Sequence, residues 1–329
     1  MSMRPAKDRP EPFHPELGAG RFIPRVTARP PRFFPFRFSL PSRPSTPEVK
    51  VRTENVSGPA GRIGLRVYRP TDSSGATGAL YWIHGGGLVA GAPEQDQAQH
   101  FRVARERGVT VVASAYRLAP EHPAPAALDD VVAGYRAVIE EAGRFGVDPA
   151  RVAIGGASAG GGLAAAACQR LLDEGGPLPV AQILVYPMLD DRTALRTDID
   201  ERHIRIWTNK SNLNGWASYL GRAPGAESVP PYSVPARRED LRGLPPAWIG
   251  VGTLDLFHDE DVAYAERLRS AGVPCDLEVV PGAFHGFDGV FPRAGVVRRF
   301  ADSWGGLLQA RVGATHDGMS GGSSGSTPS

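Results

Sequence analysis

Residues 151–168 read Arg-Val-Ala-Ile-Gly-Gly-Ala-Ser-Ala-Gly-Gly-Gly-Leu-Ala-Ala-Ala-Ala-Cys. The stretch opens on a short apolar run, 151–154, that suits a buried strand, and closes on a Gly/Ala-rich segment, 160–168, that suits a helix. Between them stands Gly156-Ala157-Ser158-Ala159-Gly160. A chain turning this abruptly from strand to helix strains its corner residue, and small residues two positions either side keep the backbones from colliding. The corner hydroxyl, Ser158, then stands at a helix N-terminus, where N–H groups face developing negative charge. A glycine-rich packing turn would use the same residues without chemistry. Partners elsewhere in the chain decide between the two.

The first partner lies upstream, where His84-Gly85-Gly86-Gly87 follows the apolar run 80–83. Consecutive glycines let the main chain approach a substrate and aim N–H groups at it. Gly86, Gly87 and Ala159 are therefore candidate oxyanion donors. No Lys-Ser/Thr follows the glycines, so a phosphate loop is excluded, while a flexible loop without chemistry stays open. His84 precedes the glycines and reads as a structural hydrogen-bonding residue.

A serine nucleophile needs a base, and the base needs a carboxylate to orient it. Of eight histidines, His14 and His316 fall in the terminal segments. His100, His122 and His203 fall in helical, loop or inserted segments, and His258 opens a polar helix. His285, in Gly282-Ala283-Phe284-His285-Gly286-Phe287 just past the run 277–280, is the candidate base. Asp255, with only Gly252-Thr253-Leu254 between it and the run 248–251, is the candidate acid. Asp259 is its runner-up, since acids at a helix start also serve capping. Parallel sheets bind ligands at the carboxyl ends of their strands. His84–Gly87, Ser158, Asp255 and His285 each follow a different strand, in the order Ser…Asp…His expected of an α/β-hydrolase.

Around these sites, strands and helices alternate. An antiparallel pair is expected at 48–57 and 62–68, linked by Gly58-Pro59-Ala60-Gly61. Strands follow at 79–83, 109–113, 151–155, 181–186, 246–251 and 276–280. Helices are expected at 93–107, 127–145, 160–173, 259–271 and 296–311. Short apolar runs alternating with amphipathic helices predict a mostly parallel sheet covered on both faces. The stretch 189–240 breaks the rhythm and reads as an inserted helical cap within a catalytic domain spanning 48–315.

Residues 1–47 differ in kind. They hold eleven prolines, six of the thirteen phenylalanines, and nine Lys/Arg against three Asp/Glu, leaving +6 there and −4 in the rest. Proline at this density predicts an extended or irregular segment. The cluster Phe33, Phe34, Phe36 and Phe38 predicts a strap across the core or part of a lid. Residues 316–329, rich in Gly and Ser, read as a disordered tail.

The whole chain has 329 residues and a net charge of +2, which argues against bulk electrostatic binding of nucleic acid. No apolar run approaches the roughly 18 residues that cross a bilayer, and no signal-peptide pattern opens the chain. Two cysteines, Cys168 and Cys275, give neither a disulfide framework nor metal-ligand spacing. A cytoplasmic location follows as the default, with no metal, no cofactor and no stable membrane insertion.

These stretches, together with Tyr116-Arg117-Leu118-Ala119-Pro120-Glu121-His122-Pro123 and Tyr186-Pro187-Met188-Leu189-Asp190-Asp191, resemble the hormone-sensitive-lipase-like family of α/β-hydrolase esterases. The resemblance implies an α/β-hydrolase fold with an eight-stranded mixed sheet. It implies a small cap built from the N-terminal segment and the insertion. It also implies hydrolysis of carboxylic esters, with Ser158 as nucleophile, His285 as base, Asp255 as its partner, and Gly86, Gly87 and Ala159 as oxyanion donors. Ala157, Leu256-Phe257 and Ala115 depart from residues frequent in the family.

The expected substrate is a small-molecule ester of short to medium acyl chain. Amide, formamide or lactone hydrolysis in the same site, a non-catalytic receptor on the same fold and an interfacial lipase are the alternatives. Some relatives pair through the last strand or helix, so a homodimer stays open.

Overall fold

The structure is a computed structural model that describes residues 13–25 and 41–313. Eight strands form one sheet in the order β1-β2-β4-β3-β5-β6-β7-β8. β1(Val49–Gly58) and β2(Gly61–Pro70) are an antiparallel pair, and β2 runs antiparallel to β4(Thr110–Ser114). Every later pairing is parallel: β3(Thr77–Ile83) with β4 and β5(Val147–Ala157), then β5 with β6(Gln182–Val185), β6 with β7(Ala247–Gly252), and β7 with β8(Cys275–Val280). The eight-stranded mixed sheet is therefore present, with strand ends within a few residues of those read from hydrophobic runs.

Strand side chains alternate between faces, and the core divides accordingly. Tyr81, Val112, Ile154, Leu184 and Ile249 pack on one side with α2(Ala126–Glu140), α4(Ala159–Asp173) and α6(His258–Ser270). Trp82, Val111, Ala153, Ile183 and Trp248 pack on the other with α1(Gln97–Arg107) and α8(Gly295–Val312). Both faces are covered, as the parallel pattern requires.

Several expectations needed adjustment. The helix expected from 93 begins at Gln97, because residues 93–96 form turns. The helix expected over 127–145 ends at Glu140 and is followed by a separate turn, α3(Ala142–Phe145), closed by Gly146 in the left-handed region. The N-terminal segment is not wholly extended. Pro15–Phe22 forms a 3₁₀ helix, with proline at the first helical position, where no N–H is needed. The Phe33–Phe38 cluster and the tail 316–329 lie outside the described residues.

Residues 13–25 pack on the body beside the last strand. Leu17 is fully buried, and the His14 N–H donates to the Gly282 carbonyl at 2.9 Å. The Glu16 carboxylate accepts the N–H groups of Gly295 and Val296 at the start of α8. The insertion contains 3₁₀ turns at Asp191–Leu195 and Pro235–Arg237 and one helix, α5(Asn209–Leu220), capped by the Thr208 side chain. Less of it is helical than the sequence suggested. Among the described residues, no helix is long and apolar enough to cross a membrane.

Candidate active site

Ser158 ends the turn out of β5, and Ala159 opens α4. Its backbone sits at φ 57°, ψ −122°, a region that non-glycine residues occupy only when the surroundings impose it. The surroundings are the glycines. A Cβ on Gly156 would come within 2.6 Å of the Ile83 carbonyl, and one on Gly160 within 2.5 Å of the His84 carbonyl. The Ser158 N–H donates to the Val185 carbonyl at 2.8 Å, and the Met188 N–H donates to the Ser158 carbonyl at 3.0 Å. Strands on both sides therefore hold the corner.

His285 lies in the loop after β8 and reaches back to the serine. Its Nε2 stands 3.0 Å from Ser158 Oγ, and its Nδ1 stands 2.9 Å from Asp255 Oδ2. The other Asp255 oxygen accepts the Phe257 N–H at 3.0 Å. Asp255 has no exposed side-chain surface, and that of His285 is 6% exposed. The three residues predicted from sequence thus form one continuous hydrogen-bonded line. Asp259, the runner-up acid, points elsewhere. It is largely exposed and pairs with Arg196 at 2.6 Å and His258 at 2.9 Å.

The glycine loop lies against this line. A Cβ on Gly85 would sit 3.4 Å from the Ser158 Cβ. Gly86 and Gly87 have φ of +119° and +62°, which glycine adopts without steric cost. The N–H groups of Gly86, Gly87 and Ala159 donate to no protein acceptor among the described residues. His84 serves this loop structurally. Its ring stacks on Tyr116 at 4.2 Å, its Nδ1 lies 2.8 Å from the Gly85 carbonyl, and burial pushes its pKa down to about 4. The Tyr116 hydroxyl donates to the His84 carbonyl at 2.9 Å. Arg117 forks onto Asp130 at 2.8 and 2.9 Å, fixing the segment that carries Tyr116.

Several residues near the site had no role assigned to them from sequence, although Tyr186 and Phe257 fall in stretches quoted above. Tyr186 and Phe257 meet the His285 ring edge-on, at 4.7 and 5.2 Å between centroids. The Tyr186 hydroxyl donates to Asp288 at 2.6 Å, and burial raises both groups above their usual pKa. Glu260 is buried under the base of the insertion, where it accepts the Leu189 N–H at 2.7 Å, the Asp190 N–H at 3.2 Å and the Thr193 hydroxyl. Their roles depend on contacts made only in the folded chain. Both cysteines are buried and free, and burial raises both thiols.

The line Ser158–His285–Asp255, with amides beside it, has the parts for acyl transfer: a hydroxyl, a base in contact with it, and an oriented carboxylate. A sequence profile described as "alpha/beta hydrolase fold" matches residues 80–289. The carboxylic ester hydrolase LipN of Mycobacterium tuberculosis is 38% identical over 252 residues, covering 75% of this chain and 66% of LipN. Esterase LipI of the same organism is 37% identical over 281 residues, covering 83% of this chain and 85% of LipI. Among solved structures, a bacterial heroin esterase superposes with a TM-score of 0.82 at 32% identity, covering 92% of this chain and 98% of the esterase. The chain belongs to the α/β-hydrolase family, in its hormone-sensitive-lipase-like branch of carboxylesterases.

Proposed function

We propose that the chain hydrolyses small carboxylic esters of short to medium acyl chain through an acyl-enzyme on Ser158. The reading rests on one observation above the others, the imidazole of His285 held in contact with both Ser158 and Asp255. Ser158 Oγ attacks the ester carbonyl as His285 Nε2 takes the hydroxyl proton. Asp255, kept out of solvent, accepts from Nδ1, fixes the tautomer and stabilises the imidazolium. The oxyanion receives the N–H groups of Gly86, Gly87 and Ala159, each such donor being worth about 3 kcal/mol in comparable sites.

When the tetrahedral intermediate collapses, the C–O bond to the alcohol breaks and His285 returns its proton to the leaving alkoxide. Water then enters. His285 takes a proton from it, hydroxide adds to the acyl carbon, and the second collapse expels Ser158 with the proton restored to Oγ. The carboxylic acid leaves and no external oxidant or metal is consumed.

Turnover of p-nitrophenyl butyrate tests the reading. Ser158→Ala should lose on the order of 10⁴-fold or more in kcat while melting as the wild type does. Retained turnover in that variant contradicts it. A panel of ester, anilide and lactone substrates separates ester hydrolysis from the other bonds such a site could cleave.

A further inference from the structure

Three consecutive residues of the insertion roof the site, and the triad uses none of them. Arg205 is buried, and its guanidinium donates to main-chain carbonyls of two separate segments. It meets Ile204 at 2.8 Å and Arg202 at 3.0 Å in the insertion, then Gly20 at 3.2 Å and Arg21 at 3.3 Å in the N-terminal segment. It also lies over the Phe13 ring at 5.1 Å. No carboxylate pairs with it among the described residues. A buried cation is tolerated only when its donors are filled, and here carbonyls from both cap pieces fill them. Arg205 therefore ties the N-terminal segment to the insertion.

Ile206 follows with φ +66°, where a β-branched residue is a genuine outlier. Such a conformation persists only when its surroundings over-determine it. Arg205 pins it on one side and Trp207 on the other. The Ile206 Cδ1 lies 3.3 Å from the place a Cβ on Gly286 would take, next to His285. The Trp207 ring lies on Gly87, so close that a Cβ there would enter it. Gly215 of α5 backs the same ring, where a Cβ would sit 3.2 Å from it. The two neighbours thus cover opposite ends of the site, one the histidine loop and the other the oxyanion loop.

Stereochemistry assigns the ends. In the tetrahedral intermediate the carbon carries the Ser158 oxygen, the oxyanion, the leaving alkoxide and the acyl chain. The alkoxide must lie near His285 to be protonated, which directs the acyl chain to the side away from that ring. We infer that Trp207 bounds the acyl chain and Ile206 bounds the leaving alcohol. This dipeptide, held by Arg205, then sets which esters are accepted. The inference rests on the ester-hydrolysis reading above and names the specificity of that same site.

Two substrate series on the full chain test it: p-nitrophenyl esters from acetate to decanoate, and acetates of ethanol, butanol and hexanol. Trp207→Ala should raise the octanoate-to-acetate ratio of kcat/KM at least about tenfold, since each newly housed methylene is worth about fourfold. The hexyl-to-ethyl acetate ratio should stay within about twofold. Ile206→Ala should move the alcohol ratio and leave the acyl ratio. Trp207→Phe, which keeps a flat ring and guards against loss of fold, should shift the acyl ratio by an intermediate amount. An unchanged acyl ratio in folded Trp207 variants, or both ratios moving together in each variant, overturns the inference. Wild-type ester turnover and its loss in Ser158→Ala test the underlying reading separately. If those hold and the ratios do not respond, only the roof assignment falls.

Discussion

The rim of the sheet and the roof above it are built by different means. At the rim, each site residue follows a strand whose neighbours hold it by ladder hydrogen bonds. Ser158 follows β5, Asp255 follows β7 and His285 follows β8, and these strands are joined through β6. In the roof, Ile206 and Trp207 stand on irregular chain between Leu195 and Asn209. One guanidinium's bonds to carbonyls and close contacts with glycines hold them. Topology thus places the chemistry, and an insertion chooses what reaches it. Damage at the rim should abolish turnover, whereas damage in the roof should redirect it.

The largest effect should come from the orienting carboxylate. Asp255→Asn keeps the shape but removes the acceptor that fixes the His285 tautomer, so kcat should fall about 10⁴-fold. A fall under tenfold for p-nitrophenyl butyrate would mean that the rim is less decisive than the contrast claims. Next comes the seam where rim and roof touch. Gly87→Ala puts a Cβ into the Trp207 ring at φ +62°, displacing the N–H proposed as an oxyanion donor. A loss of about 10²-fold in kcat is expected, with KM changed far less. Equal losses for acetate and octanoate esters would assign the damage to the rim, and unequal losses to the roof.

The smallest effect concerns stability away from both regions. His100 is fully buried on α1 with neither ring nitrogen hydrogen-bonded, packed between Tyr68 and Trp82. Burial pushes its pKa down to about 3. The unfolded chain takes up that proton near pH 6.5 and the folded chain does not, so the unfolded state binds more protons below that pH. The contribution of His100 is complete above about pH 6.5 and declines as pH falls toward 3, by about 1.4 kcal/mol per pH unit. His100→Phe should therefore gain melting temperature on the wild type at pH 5 relative to pH 8. His84, lowered in the same direction, keeps its own share of acid sensitivity in both proteins. A gap between the two proteins that is the same at both pH values would contradict the prediction.

Much of the rim was legible because its demands are local. Gly156 and Gly160 flank Ser158 at fixed spacing since larger residues would strike the Ile83 and His84 carbonyls, and that necessity is visible in a string of letters. His285 and Asp255 were found by their position just past apolar runs, which parallel sheets turn into a shared edge. The roof was not legible. Nothing in Arg205-Ile206-Trp207 announces a buried cation two of whose acceptors, the Gly20 and Arg21 carbonyls, lie 185 and 184 residues away, because backbone carbonyls carry no sequence signal. Glu260 was not legible either, since its partners at Leu189 and Thr193 meet it only in the folded chain. The short turn at Pro15–Phe22 was missed because proline density suggested extension, although Pro15 occupies the one helical position that accepts it.

The central claim is that Ser158 is made nucleophilic by its contact with His285. Mass spectrometry after exposure to a short-chain p-nitrophenyl phosphonate tests it most directly. A single phosphonyl adduct on the peptide bearing Ser158, lost in His285→Ala and in Ser158→Ala, is the predicted result. An unmodified Ser158 in wild-type protein, or equal labelling without the imidazole, would contradict it.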